Sequence, residues 1–213
     1  MHLTDLEKEK IAAAIRAVEN ASEGELVTVI TPRSDDYWYI PSLCASLIAL
    51  LVSAVAAYFG LIQSASVLVM SQFMMFVFLT IAFRWPPLTM KVIPKSVKHH
   101  RAMLKARALF ELEGVHLTRR RNGIMLYVSV AEKYVEVIGD RGISQHVSEV
   151  QWQEIVSGFT DHVRRGEVCQ GYLTAIAQCG ELLKQYCPVT GSSAEDKAKA
   201  GEDGELPNHL IEL

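Results

Sequence analysis

Asp140 and Arg141 stand side by side where the strand-like run 134–138 gives way to Gly139 and Gly142, and Glu25 opens a second, β-branched run at 26–30. A carboxylate at such a corner suits a cation, and the adjoining guanidinium suits an anion. If residue 140 closes a strand of an α/β sheet, it lies where such sheets place ligands. The same residues have a plainer reading. Asp beside Gly in a turn bonds its own backbone, and Glu25 reads as a solvent-facing residue at a strand start. Metal-assisted hydrolysis needs several carboxylates converging, and sequence alone does not bring them together. A Walker-type phosphate loop, an H-E-x-x-H pair, a G-x-S-x-G elbow and a Cys-x5-Arg phosphatase loop are all missing from the sequence. No residue is therefore assigned as catalytic. His99 and His100 point apart on a helix. Arg119, Arg120 and Arg121 read either as a solvated turn or as a phosphate or headgroup site.

These candidates must be held by elements that the patterning defines. Thr4 and Glu7 make a capping box ahead of a helix carrying Leu6, Ile11, Ile15 and Val18 on one face. A short β-branched strand follows and ends at Pro32. Residues 97–113 read as a helix with Leu104, Ala108, Leu109 and Leu112 inward. Residues 123–130 are apolar on both faces, as a central strand requires, and a tight connection leads to a second strand at 134–138. These two form an antiparallel hairpin, and the first strand, reached through a helix, lies parallel to 123–130. Ser148 and Gln151 cap a helix bearing Trp152, Ile155, Val156, Phe159 and Val163. A last helix, from about 169 to 186, turns Tyr172, Ile176, Cys179 and Leu183 inward.

The early helix and strand are too short to fold alone, so they complete a unit encoded later. Between them lies a segment, residues 37–83, without a single Asp, Glu, Lys or Arg. A bilayer core about 30 Å thick is crossed by roughly 20 apolar residues. Residues 42–62 and 66–83 meet that length and are expected to form a transmembrane hairpin. Along its first helix Ala45, Ala49, Ser53 and Ala57 make a small-residue stripe for close helix packing. Gln72 on the second helix is expected to face that partner. Tyr37, Trp38, Tyr39 and Trp85 fall at one interface. Arg84, Lys91, Lys95, Lys98 and Arg101 follow the second helix and the turn has no cation, so both termini and the globular domain are expected to be cytoplasmic, in a multi-pass protein of the cell inner membrane.

The chain has 213 residues and a net charge of −3. That charge makes no case for nucleic acid. Four cysteines without a C-x-x-C pair read as reduced thiols. The expected organisation is an α/β domain in two pieces, 1–36 and 91–188, a membrane hairpin at 37–85, and a flexible acidic tail at 189–213. The apolar end of that tail either docks, back on the domain or on a partner, or frays. The fold expected is a small sheet, with a parallel crossover plus an antiparallel hairpin, sandwiched by helices.

Ser22-Glu23-Gly24-Glu25-Leu26-Val27, the run Gly123-Ile124-Met125-Leu126-Tyr127-Val128-Ser129-Val130-Ala131-Glu132, the run Val135-Glu136-Val137-Ile138-Gly139-Asp140-Arg141-Gly142-Ile143, and Trp152 together resemble the TPM domain family. The closing nine residues resemble the end of its bacterial membrane members. The resemblance covers about 1–31 and 97–187 and implies an α/β sandwich. Relatives include thylakoid proteins of photosystem repair, to which a phosphatase activity is ascribed, and accessory subunits of receptors. Some members bind divalent cations. Two functions follow as expectations. One is a membrane-anchored binding or assembly module acting on other membrane proteins or on a second copy, with the lipid bilayer as a partner. The other is a divalent-cation-dependent phosphatase, in which Asp140, Arg141 and Glu25 would line the site.

Overall fold

Two adjacent seven-residue strands, β1 (Glu25–Thr31) and β2 (Gly123–Ser129), are buried along their whole length. Their β-branched and aromatic side chains serve both faces of a central layer. They pair in parallel from Glu25↔Gly123 to Thr31↔Ser129. β3 (Tyr134–Gly139) returns antiparallel on β2 and forms one edge. β4 (Leu210–Glu212) adds in parallel on the free side of β1, giving the order β3-β2-β1-β4. The apolar chain end therefore docks back as a strand. This computed structural model describes residues 3–118, 120–189, 206 and 209–213; Arg119 and most of the acidic tail, residues 190–205, lie outside them.

The chain divides into two compact units, Met1–Ser34 with Ala102–Leu213, and Asp35–Arg101. In the first, α1 (Asp5–Ala21), α7 (Glu149–Arg164) and α8 (Val168–Tyr186) cover one sheet face. Ile11, Ile15, Leu26, Ile124, Leu126, Phe159, Tyr172 and Ile176 form the core there. Both capping boxes expected at Thr4 and Ser148 are formed. On the other face Val27, Val29, Met125 and Tyr127 meet Ala102, Ala106 and Leu109 of α5 (Lys95–Leu112). Helices thus sandwich a mixed four-stranded sheet. The inward face of α5 differs from the expectation. Leu104 and Leu112 are exposed, as is Ala108, while the small side chains of Ala102 and Ala106 let the helix lie close on the sheet. Leu6 is likewise exposed at the first turn of α1.

The second unit contains α2 (Tyr39–Tyr58), α3 (Ala65–Ala82) and the short α4 (Pro86–Val92). α2 and α3 pack together, and both are long and apolar enough to cross a membrane, with mean hydropathy 2.2 and 2.0. Of the small-residue stripe, Ala45, Ala49 and Ser53 are buried. Ala57, one turn further on, is exposed, because α2 ends at Tyr58 and the chain departs there. Gln72 is half-buried.

Candidate functional site

Strand direction decides which candidates meet. Glu25 is opposite Gly123 in the parallel ladder, and the Asp140 N–H donates to the Gly123 carbonyl at 2.8 Å. Glu25, Gly123 and Asp140 therefore form one row across the sheet, with the outer two backbones about 10 Å apart at ordinary strand spacing. Because β3 runs antiparallel, this row lies where the parallel strands begin. The expectation that Asp140 marks the ligand-binding end of a parallel sheet is corrected accordingly. Glu25 is not solvent-facing either; it is 6% exposed, as is Asp140.

Asp140 caps α6 (Arg141–Ser144), a single turn. Its Oδ1 accepts the Arg141 N–H at 2.6 Å, and its carbonyl accepts the Ser144 N–H at 2.9 Å. Its Oδ2 is buried with no hydrogen-bond partner among the described residues. The Arg141 side chain is exposed. Beside this corner a cavity of about 220 Å³ is lined by Glu23, Arg120, Asn122, Gly142, Tyr186 and Cys187. Arg120 pairs with Glu23, and the Asn122 amide donates to the Glu23 carbonyl at 3.1 Å. Burial pushes the Cys187 thiol above its ordinary pKa, partly offset by its hydrogen bond with Asn122. Among the described residues no three His, Cys, Asp or Glu side chains converge as metal ligands. Asp140 and Glu25 share one row of the sheet, and no third such side chain joins them among the described residues.

At the opposite end, where β1 and β2 finish, a buried oxygen cluster forms that the sequence reading missed. Ser34 donates its N–H to Glu132 Oε1 at 3.0 Å, and the Ser129 hydroxyl binds Glu132 Oε2. The Tyr127 hydroxyl lies 2.9 Å from Ser34 Oγ and 3.2 Å from Thr31 Oγ1. Its one sequence signal is the pairing of Thr31 with Ser129 at the last position of both strands. These contacts satisfy one another and fasten residue 34 to the β2–β3 connection.

A larger opening, about 520 Å³, runs between the edge strand β3 and α7. Its walls include Val135, Glu136, Val137, Glu149, Trp152 and Val156. The family model of the TPM domain matches residues 91–182. Those residues are a TPM domain. Asp140, Arg141, Glu132 and both walls of the β3–α7 groove lie inside the matched stretch, whereas Glu25 lies before it. The chain is also similar to the NMR structure of BA42 protein from the psychrophilic bacterium Bizionia argentinensis. The two are 19% identical and superpose with a TM-score of 0.60 over 100% of this chain and 97% of that one. This likeness shows the fold alone. No curated protein matches the chain.

Proposed function

We propose that the chain is a membrane-anchored binding module: α2 and α3 span a bilayer as a hairpin, and the TPM domain engages other membrane proteins on the cytoplasmic side. The observation that carries this reading is the outer surface of the hairpin. Leu43, Leu47, Leu50, Leu51, Val69, Phe73 and Phe78 are all exposed. Leaving a side chain of this kind in water costs about 1.5–3 kcal/mol each relative to an apolar medium. At about 1.5 Å per residue the two helices are roughly 30 and 27 Å long, the thickness of a hydrocarbon core. Lys91, Lys95, Lys98 and Arg101 follow α3, and the turn at 59–64 carries no cation, which supports cytoplasmic termini.

Cysteine labelling in intact cells tests the proposal. In a chain stripped of its native cysteines, Gln63→Cys at the turn is expected to react with an impermeant maleimide from outside. Glu154→Cys on α7 is expected to react only after lysis. Labelling of Glu154→Cys from outside, or recovery of the chain in the soluble fraction without detergent, would overturn it.

A second reading, hydrolysis of phosphate esters, draws support from the spare buried Oδ2 of Asp140. Phosphate release from a generic ester, measured for the wild type and Asp140→Ala with and without a divalent cation, tests it. Equal rates in both proteins remove Asp140 from any such chemistry.

A further inference from the structure

β3 is an edge strand, and its free side opens onto a groove. The Asp140 N–H turns inward to Gly123, so by the antiparallel alternation Val135 and Val137 direct their N–H and C=O groups outward. Among the described residues no hydrogen bond reaches those groups. Beyond them lies the opening walled by α7. From Glu149 to Arg164 the helical wall is about 22 Å long, room for six or seven extended residues at about 3.3 Å each. Val135, Val137, Trp152 and Val156 supply apolar wall. The charges are lopsided. Asp161 is neutralised by Arg164 at 3.0 Å, while Glu136 and Glu149 have no ion-pair partner among the described residues. Arg107 is the cation that acts on Glu136.

We propose that this groove binds an extended, Lys- or Arg-bearing segment of a partner membrane protein, which adds to the sheet as a strand beside β3. The segment's backbone pairs with Val135 and Val137; its alternate side chains fall on the two faces of the sheet, where cations on one face meet Glu136 and cations on the other meet Glu149 of α7. Strand addition of this kind takes affinity from main-chain hydrogen bonds and selectivity from alternate side chains. A second copy fits less well. Antiparallel pairing of two β3 edges centred on residue 136 would set Glu136 against Glu136, and like charges directly opposite are destabilising. The cytoplasmic flanks of membrane helices are rich in Lys and Arg. The inference rests on the binding-module reading only for that source of the segment.

Fluorescence anisotropy of the full chain in neutral detergent provides the test. The probe is a labelled heptapeptide, Lys-Lys-Val-Val-Lys-Lys-Val, which carries Lys on both faces of a strand. Its counterparts have Glu in place of Lys, or N-methyl groups on alternate residues. The basic peptide is expected to bind, the acidic one not. Glu149→Lys or backbone methylation is expected to weaken binding at least about tenfold. Val137→Pro, which removes an outward N–H at an edge where proline is tolerated, is expected to do the same with the circular dichroism unchanged. Equal binding of acidic and basic peptides, indifference to methylation, or no binding to the folded chain overturns the proposal. So does a dimer that Val137→Pro converts to monomer, since the edge then belongs to a second copy. None of these outcomes depends on where maleimide reaches the chain in cells, so the two readings fail separately.

Discussion

The guanidinium of Arg101 donates to the Tyr39 hydroxyl at 2.8 Å and sits 5.6 Å from the centre of the same ring. Its Nε lies 3.3 Å from Asp35 Oδ2. Asp35 and Tyr39 precede α2, and Arg101 follows α3, so one side chain ties the two ends of the hairpin segment. The Tyr39 hydrogen bond first, and the Asp35 charge after it, hold the Arg101 pKa above its ordinary value. Arg101→Ala is expected to speed hydrogen exchange at residues 35–40 while leaving the melting temperature nearly unchanged, because solvent-accessible pairs add little global stability. Arg101→Lys keeps a charge but loses the planar stack and should fall between. Identical exchange in Arg101→Ala would show that backbone packing alone holds these ends.

Tyr172 is buried against Phe159, ring centres 5.0 Å apart and nearly perpendicular. Its hydroxyl has no hydrogen-bond partner among the described residues, and burial drives its pKa upward. An unpaired buried hydroxyl costs roughly 1–3 kcal/mol. Tyr172→Phe keeps the ring pair and removes that group, so a gain of about 1 kcal/mol is expected. Chemical denaturation followed by far-ultraviolet circular dichroism measures it, and a loss of stability would mean that the hydroxyl is bonded in solution.

The parts of this molecule legible in the sequence are those with strong local periodicity. Ile11, Ile15 and Val18 marked α1, and Tyr172, Ile176, Cys179 and Leu183 marked α8 with the face they bury. The parallel β1–β2 pair and the β2–β3 hairpin followed from connection length. α5 misled because its buried stripe is mostly alanine, which offers less hydrophobic contrast than the exposed Leu104 and Leu112. β4 has three residues and lies far along the chain from the strand it joins, so no local signal names its edge. The end of the sheet at which Asp140 sits was hidden for a similar reason. Asp140 closes a strand, but whether that end faces the start or finish of the neighbouring strands depends on sheet order. The oxygen cluster of Thr31, Ser34, Tyr127, Ser129 and Glu132 exists only once two parallel strands end level.

Leu210 anchors β4. It is 6% exposed, and the strand is further fixed by a Lys8–Glu212 ion pair at 2.9 Å and a Leu213 N–H to Ile30 carbonyl bond at 3.2 Å. Leu210→Ala removes most of the buried side chain and is expected to cost about 2–3 kcal/mol. Hydrogen exchange at Leu210–Glu212 should rise to that of a free chain end, with the rest of the sheet still protected. Unchanged protection would show that the backbone ladder holds β4 without its anchor.

Gly142 lies within α6, against the turn that follows a single 3-10 turn at Val115–Leu117. Its N–H donates to the Arg121 carbonyl at 2.7 Å, and a Cβ at this position would run into that same oxygen and lie 2.7 Å from the Arg120 carbonyl. Both obstacles are backbone. Gly142→Ala is therefore expected to cost about 1–3 kcal/mol, the range for forced overpacking, and to displace Asp140 with its helix turn. A denaturation midpoint equal to that of the wild type would show that the corner has more room than the geometry allows.

Glu136 gives the β3 edge a pH dependence whose sign is fixed. Burial first, and Glu149 in addition, raise its pKa above 4.5; the Tyr134 hydrogen bond and Arg107 oppose the shift without cancelling it. The unfolded chain releases this proton near 4.5, and the folded chain holds it to higher pH. Within that window the folded state binds more protons, so its stability falls as pH rises. Glu136→Gln removes the titration and should match the wild type below pH 4.5. Its advantage should then grow with pH and level off once the folded-state pKa is passed. Urea midpoints of both proteins between about pH 4 and 8 read this directly. A difference independent of pH would place the Glu136 carboxylate in solvent, and with it the charge that makes the neighbouring groove selective for cations.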